Sequence, residues 1–272
     1  MPRTHLGDSG GTVELRRLTV ADIPACSDLA ESRSSAREES KWEFLLTHGE
    51  GWGLFDEEGL VGTTIVTRYP ELASVSMVLV AERAARRGHA RRLVSHVLDT
   101  GVSTLFATSM GRPLYEQLGF HAVGFTDIHT GVFTGPVSDI SHIATAADLD
   151  ELVALDAKVS GLTRPFLWEQ LLTTGSVRIS PHGIAGSWRV RDERLFIGPV
   201  IADSPADACA LIADSAVGNG SVRVDVHDPE VVAFVRAHGM ESWGECTWMV
   251  KNAEQLPGDR ACYHAPLLQA LG

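Results

Sequence analysis

The stretch ARRGHARRLV, residues 85–94, places four arginines around Gly88 and then turns apolar. Leu93 and Val97 continue an apolar repeat at helical spacing, which predicts a helix that begins just after the glycine. The first turn of a helix presents backbone N–H groups without internal partners, together with the positive end of the helix dipole. A glycine there lets the backbone approach a ligand closely. The stretch therefore predicts a turn that binds a small anion, and a solvated, arginine-rich helix start is the alternative.

The charge of the whole chain makes this cluster stand out. The 272 residues carry a net charge of −12, yet five of the 23 basic residues lie between Arg83 and Arg92. Nucleic-acid binding requires a broader basic face, so no nucleic-acid partner is expected. Neither G-x-x-x-x-G-K-S/T nor the dinucleotide motif G-x-G-x-x-G is present. The expected ligand is therefore a small anion held in some other way than by these two motifs.

Composition indicates a globular protein of two domains. A length of 272 residues is long for one compact domain, and 44% of the residues are hydrophobic. No apolar run is long enough to cross a bilayer, and the N-terminus has no apolar segment typical of a secretory signal. Cys26, Cys209, Cys246 and Cys262 lack the spacing of a zinc site or a disulfide framework. We expect a cytoplasmic protein with neither a membrane partner nor a metal.

The segments around the arginine cluster predict an α/β fold. A strand is expected over residues 13–18 and, after the capping-box spacing from Thr19 to Asp22, a helix. Three apolar runs separated by turn residues predict an antiparallel meander, and a strand over residues 104–108 returns after the helix that follows Gly88. Strand, helix and strand in this order predict a parallel crossover. The three meander strands are expected at residues 51–55, 60–68 and 73–81.

A second motif, LYEQLGFHAVG at residues 114–124, follows the returning strand. Together with the V-L-V strand end and the basic R-G-x-A turn before it, this motif makes residues 12–135 resemble the GNAT superfamily of acyl-CoA-dependent N-acyltransferases. The resemblance implies a mixed, mostly antiparallel sheet flanked by helices, with acetyl-CoA as cosubstrate. It further implies a pantetheine-binding strand end of Val78, Leu79 and Val80, and a pyrophosphate-binding turn of Arg86, Arg87, Gly88, His89, Ala90 and Arg91.

Two positions depart from the family pattern. Ala85 stands where the pattern has Arg or Gln, so the charge is expected from Arg83 or Arg86 instead. Thr108 stands where the family often has Asn, seven residues before the tyrosine, and its hydroxyl is still a hydrogen-bond donor. Thr108 therefore stays among the expected acetyl-CoA-binding residues.

Tyr115 is the residue expected to carry the chemistry. Transfer of an acetyl group expels coenzyme A as a thiolate, and a nearby phenol can protonate the sulfur as it leaves. The alternative is a core tyrosine that packs beside Leu118 and Phe120. Backbone N–H groups near Leu79 and Val80 could hold the oxyanion of the tetrahedral intermediate. The general base is not identified, and its candidates by residue type, each with a surface role as the alternative, are Glu43, Glu71 and Glu82.

The second half of the chain repeats features of the first. TAADL at residues 145–149 repeats TVADI at 19–23, and Gly239 follows Gly119 by 120 residues in the same local context. The arrangement resembles GNAT proteins that carry a second, degenerate acetyltransferase-like domain. We therefore expect tandem GNAT-like domains, with a catalytic domain at 1–135, a linker at about 131–141 and a degenerate domain at 142–272.

The degenerate domain is expected to bind no coenzyme A. At the place of the arginine turn it has DSPAD, residues 203–207, with two carboxylates and no glycine. Val235 stands at the place of Tyr115. We expect this domain to shape the acceptor site or to hold a homodimer. A chain that ends near Ser138 is then expected to keep the acetyl-CoA site.

The predicted activity is transfer of an acetyl group from acetyl-CoA to a primary amine, by direct attack in a ternary complex as the resemblance implies. A non-catalytic acyl-CoA-binding sensor is the alternative. The acceptor, a small-molecule or peptide amine, is not predicted, because acceptor sites are built from variable loops. Trp42, Phe44 and Trp52 could belong to the core or to a pocket. Asp225 and Arg164 could face the acceptor, although surface exposure is the preferred interpretation.

Overall fold

A computed structural model describes residues 13–190 and 194–272 as an α/β protein built around one 13-stranded sheet. The sheet is mostly antiparallel and is flanked by helices, which confirms the predicted fold class. The first half has the predicted order of strand, helix, meander, helix and strand, with a second helix before the meander. Its elements are β1 (Glu14–Arg17), α1 (Ile23–Ser32), α2 (Glu39–His48), β2 (Glu50–Asp56), β3 (Gly59–Arg68), β4 (Ala73–Val80), α3 (His89–Val97), β5 (Ser103–Ala107), α4 (Arg112–Gln117) and β6 (His121–Val132).

The second half repeats this order of elements and then adds one short strand, β13. Its elements are β7 (His142–Ile143), α5 (Leu149–Ser160), α6 (Pro165–Thr174), β8 (Ser176–Ser180), β9 (Gly183–Val190), β10 (Arg194–Ala202), α7 (Pro205–Ala216), β11 (Ser221–Val226), α8 (Pro229–Ala237), β12 (Met240–Lys251) and β13 (Tyr263–Ala265).

Both capping boxes predicted from sequence are present. The Thr19 backbone N–H donates to Asp22 Oδ2 at 2.9 Å, and the Thr145 N–H donates to Asp148 Oδ2 at 2.7 Å. Each box begins a short 3₁₀ turn that leads directly into a helix, α1 in the first half and α5 in the second. The carboxylate accepts a backbone N–H that the helix itself cannot satisfy, so each box stabilises its helix start.

Successive side chains of the strands divide the core between the two faces of the sheet. On β3, Ile65 packs in a core that contains residues of α1, α2, α5 and α6, whereas Val66 packs in a core with α3 and α4. The first core is continuous across both halves of the chain and fully buries Trp42 and Trp168. Truncation of either tryptophan to alanine should lower the free energy of unfolding by about 3–5 kcal/mol, because the surrounding side chains fill only part of the cavity that is left.

The order of the strands shows that the two halves share their central strands. The sheet runs β1-β2-β3-β4-β5-β12-β6-β11-β10-β9-β8-β7. The last long strand of the second half, β12, therefore lies beside β5 of the first half, and β6 of the first half lies beside β11 of the second. Each half completes its sheet with a strand of the other.

The register of the β6–β12 pair confirms the internal repeat. Gly244 of β12 pairs with Ile128 of β6. At an offset of 120 residues, the counterparts of these two residues are Gly124 and Trp248, and they also pair. Thr126 pairs with Cys246, its own counterpart at that offset, so a pseudo-twofold axis passes through this pair. The positions of the two halves can therefore be matched by register.

The segment between the halves is held in place by one carboxylate. The Asp214 side chain on α7 accepts the backbone N–H groups of Ser138 and Asp139 at 2.7 and 2.8 Å. It also accepts those of Ile140 and Ser141, both at 3.2 Å. The predicted linker thus begins inside β6 and continues as a connection fixed to the second half.

Candidate active site

The candidate site begins where β4 and β5 separate. These parallel strands pair only at Ala73 with Ser103 and at Ser74 with Thr104. Beyond that point Met77 has a φ of 50°, and the register between β3 and β4 shifts opposite it. Such a bulge bends its strand, so β4 turns away from β5 and the two strands form a fork.

The predicted pantetheine strand forms one side of this fork. The Ala81 N–H donates to Val61 O on β3 at 2.8 Å. Because peptide groups along a strand alternate between its two edges, the groups of Leu79 also face β3, whereas those of Val78 and Val80 face the fork. Among the described residues, no strand pairs with this edge of β4 beyond Ser74. Two peptide groups are thus free to bind an extended ligand.

The predicted pyrophosphate turn lies at the start of α3. Gly88 is the N-cap with a φ of 81°, and Arg86 is also left-handed with a φ of 61°. The helix has no side-chain cap, and a Cβ built on Gly88 would meet no atom within 4 Å. The N–H groups of the first turn are therefore open to solvent at the positive end of the helix. This geometry suits an anion such as a phosphate.

The arginines around Gly88 have different partners. Arg83 donates to Asp56, with an Nη2–Oδ1 distance of 2.9 Å, and holds the pKa of that carboxyl below its ordinary value. Arg91 contacts the side-chain oxygen of Gln117. Within the described residues, Arg86 and Arg87 are exposed and form no ion pair. Of the two arginines considered in place of Ala85, Arg86 is therefore the one free to bind phosphate.

His89 and Ala90 complete the turn as half-buried residues. The pKa of His89 is lowered by partial burial of its ring and then by the nearby charges of Arg87 and Arg92. A neutral imidazole at pH 7 follows, because its ordinary pKa is already below that pH. The positive charge of the turn comes from the arginines.

Tyr115 lies on α4 with its ring in the core formed by α3, β4 and β5. The ring is 8% exposed and meets Phe120 edge-on at 6.1 Å. Burial raises the pKa of the Tyr115 hydroxyl to about 12, so the phenol is protonated at neutral pH. The hydroxyl makes no hydrogen bond to another described residue. Tyr115 is therefore both a core residue and a phenol that can donate its proton.

Thr108 connects Tyr115 with the fork. Its Oγ1 accepts the Gly111 N–H at 3.3 Å in the turn that begins α4. A Cβ built on Gly111 would lie 3.1 Å from Cε2 of Tyr115 and 3.5 Å from Oγ1 of Thr108. Glycine at 111 thus lets the tyrosine ring and the threonine hydroxyl lie close together at the end of β5.

A cavity of about 450 Å³ lies at the mouth of the fork, on the face of the sheet opposite α3. Met77 and Thr108 border it from the first half, and Phe196 and Arg223 border it from the second. Residues 34–41 and 268–270 form its walls. The cavity is therefore built by both halves of the chain, at the point where an acceptor would meet a ligand in the fork.

Most residues of this cavity were not among the sequence-based candidates. Trp42 and Phe44 are buried in the core, and Trp52 packs against His96, so none of the three lines the cavity. Asp225 is buried and paired with Arg223, which contradicts its expected surface exposure. Arg164 is also buried, and its Nε donates to Asp156 at 2.8 Å. Glu43, Glu71 and Glu82 are exposed and lie outside the cavity lining.

The matching fork of the second half is closed. The strand registers match the pair Ala73 and Ser103 of the first half with the pair Leu195 and Val222 of the second. Counted along the strands from these pairs, residues 200–202 of β10 lie at the position of Val78 to Val80. There β13 pairs with β10, Ala265 with Val200 and Tyr263 with Ile201. A segment of the chain itself thus occupies the strand edge that is free in the first half.

The helix start of the second half is closed as well. The Ser204 side chain caps α7 by accepting the Asp207 N–H at 3.2 Å. Pro205 at the first helical position has no N–H, and the Asp207 carboxylate adds a negative charge. Compared with the turn at Gly88, this turn offers an anion fewer free donors and a negative charge in place of the arginines.

An open strand fork, an uncapped helix start and a buried phenol beside them are typical of an acyltransferase. The GNAT acetyltransferase family model matches residues 16–120, and an acetyltransferase (GNAT) domain model matches residues 152–264. The chain therefore contains two GNAT domains in tandem, and the protein is an acetyltransferase.

Relatives and solved structures agree with this family. The uncharacterized N-acetyltransferase YitH of Bacillus subtilis (strain 168) is 26% identical over 204 residues, 69% of this chain and 72% of that protein. A putative acetyltransferase from Pyrococcus horikoshii has a TM-score of 0.81 at 19% identity, covering 98% of this chain and 99% of that one. A tandem GNAT protein from the clavulanic acid biosynthesis pathway has a TM-score of 0.62 at 13% identity, covering 91% and 100%. The two structures show the same fold.

Two further observations concern the residues that the structure describes. None of the helices in residues 13–190 and 194–272 combines the length and the apolar character needed to cross a membrane. In the same residues, His, Cys, Asp and Glu side chains nowhere form a group of three or more that could hold a metal ion.

Proposed function

We propose that the first half of the chain binds acetyl-CoA in the β4–β5 fork and transfers the acetyl group to a primary amine held in the cavity. The contrast between the two forks carries this proposal. The first fork has a free strand edge and an uncapped helix start. The second has its strand edge paired with β13 and its helix capped by Ser204. Among the described residues, the first fork is therefore the one we assign to acetyl-CoA.

The residues present fit the pyrophosphate and the pantetheine arm of acetyl-CoA. The free helix start and the unpaired Arg86 and Arg87 suit the pyrophosphate, because backbone N–H groups and guanidinium groups both bind phosphate oxygens. The peptide groups of Val78 and Val80 suit the amides of the pantetheine arm. When bound, acetyl-CoA supplies a thioester as the acetyl donor.

Three groups of the chain act on the transfer. The Val80 N–H faces the fork and is placed to stabilise the oxyanion of the tetrahedral intermediate. The Tyr115 phenol donates its proton to the sulfur as the thiolate leaves. Glu38 is the carboxylate in the cavity lining, and we assign it the proton that the acceptor's ammonium group must lose before its nitrogen attacks the thioester. Direct attack in a ternary complex requires no covalent intermediate on the protein.

The second half contributes to the acceptor site. Arg194, Phe196 and Arg223 line the cavity from β10 and β11, and the pair β6–β12 forms its floor. The degenerate domain therefore shapes the place where the amine binds, although it lacks an open fork of its own.

Release of thiol from acetyl-CoA tests the proposal. A panel of polyamines, amino acids, aminoglycosides and short peptides should contain acceptors that release one thiol for each acetyl group transferred. The same reaction should be about 10²-fold slower in Tyr115→Phe, while acetyl-CoA binding is retained. Binding of acetyl-CoA without thiol release for any amine would favour the sensor instead.

A further inference from the structure

The charged side chains that line the cavity leave one positive charge without a negative partner among the described residues. Glu38 contacts Lys41, and Arg223 donates two hydrogen bonds of 2.8 Å to Asp225, so these four side chains form two neutral pairs. Arg194 is the remaining charged residue of the lining. Within the residues that the structure describes, it has no acidic partner. The cavity therefore carries one unpaired positive charge, although the whole chain has a net charge of −12.

Arg194 is fixed in place and has unused hydrogen-bonding capacity. It is the first residue of β10 and pairs with Val190 on β9 and Ser221 on β11. Its Nε is buried and has no hydrogen-bond partner in the part of the chain that the structure describes. A buried donor on a charged group is costly to leave unpaired, so an anionic group in the cavity would be bound favourably.

The position of Arg194 relative to the fork sets the length of the ligand. Four strand spacings separate β5 from β10, because β12, β6 and β11 lie between them. At about 4.8 Å per spacing, the two strands are roughly 19 Å apart across the sheet. The registers place Ala107 level with Phe125 and Arg194 level with Val132, so Thr108 and Arg194 also lie about six residues, roughly 20 Å, apart along the strands. The arginine side chain shortens the resulting gap to roughly 20 Å, which an extended peptide covers with about six residues.

We propose that the acceptor is an elongated amine with an anionic group, a carboxylate or a phosphate, roughly 20 Å from the nitrogen that is acetylated. The inference rests on the proposed acetyl transfer at the β4–β5 fork. The amine lies at Met77 and Thr108, and the anionic group binds Arg194. Polyamines and aminoglycosides are disfavoured, because their positive charge would meet the guanidinium group of Arg194.

Alanine peptides of two to eight residues test both the charge and the length. Each is titrated as the free acid and as the C-terminal amide into protein saturated with coenzyme A, so binding is measured independently of turnover. Peptides of about six and seven residues should, as free acids, bind about tenfold or more tightly than their amides. A second pair, with phosphoserine amide or serine amide after five alanines, separates phosphate from carboxylate recognition.

Variants of Arg194 test whether this residue causes the tighter binding of the anionic peptides. In Arg194→Gln the advantage of the anionic peptides should disappear, and in Arg194→Lys part of it should remain. Arg178→Gln is the matched control, because it removes one positive charge from the same half outside this cavity. Equal affinity of acids and amides in the wild type, or a preference that survives Arg194→Gln, would overturn the proposal. Tight, selective binding without thiol release would instead contradict the acetyl transfer itself.

Discussion

Substitution of Gly88 by valine tests the acetyl-CoA site with the least disturbance to the fold. Gly88 has a φ of 81°, and a Cβ at this position would meet no atom within 4 Å. Valine therefore adds backbone strain, about 1–3 kcal/mol, but no clash. A domain with a stability of about 5–15 kcal/mol should stay folded at 25 °C.

The effect on binding should be larger than the effect on folding alone. The valine side chain would stand in front of the free N–H groups at the start of α3, where the pyrophosphate is proposed to bind. Each hydrogen bond to a charged group contributes about 1.5–3 kcal/mol, so the loss of one raises the Kd for acetyl-CoA about 10- to 150-fold. Loss of two would abolish measurable binding.

Titration calorimetry with acetyl-CoA, accompanied by thermal unfolding, separates the two effects. Gly218→Val is the matched control, because Gly218 has a φ of 77° and also has no atom within 4 Å of a built Cβ. Both variants should lose similar stability, and only Gly88→Val should lose affinity. Unchanged affinity in folded Gly88→Val, or an equal loss in Gly218→Val, would refute the assignment of the turn.

Four further outcomes are expected. Tyr115→Phe should lower kcat about 10²-fold with little change in acetyl-CoA affinity. Because the pKa of Tyr115 is about 12, the phenol stays protonated in the wild type between pH 8 and about pH 10, and any loss of rate in that range must come from another group. Calorimetry should find one acetyl-CoA site per chain. A chain that ends near Ser138 should fail to fold, because β5 loses its partner β12. This differs from the expectation from sequence, in which such a chain keeps the acetyl-CoA site. Asp22→Asn should cost about 1 kcal/mol and lower Tm more than Asp148→Asn, since Asp22 also binds Arg16 at 2.7 Å. Arg16 holds the pKa of Asp22 at about 2, below its ordinary 3.8, so this extra stability is present above about pH 4 and should vanish as the pH falls to about 2.

Features set by neighbouring residues were predictable from the sequence. The helix start after Gly88, the capping boxes and the three-strand meander depend on spacing and turn chemistry within a few positions, and each is present in the structure. The internal repeat was also detectable, because Gly119 and Gly239 occur in the same local sequence context. Both glycines adopt the left-handed conformation with a φ of 89°, so the same turn requires glycine in each half. The roles of Tyr115 and the arginine turn in acetyl transfer stay predictions.

Features set by distant residues were not predictable. Nothing in the sequence of β6 or β12 specifies which of them lies beside β5, because the two strands carry equivalent patterns and the choice depends on packing across the whole chain. The three residues of β13 are too few to give a strand signal. Arg194 and Glu38 are separated by more than half the chain and meet only at the cavity, so no local motif could identify them.

The exchange of β6 and β12 also determines when the protein can become active during synthesis. The β4–β5 fork belongs to residues that are made early, yet β5 receives its neighbour β12 only from Met240 onward. The ribosome adds about 110 residues between the end of β6 and the start of β12, which takes roughly 5–20 s. During that interval the edge of β5 has no β12 to pair with and is open to pairing with other chains. Assembly of the first half into the shared sheet must therefore follow translation of the second half.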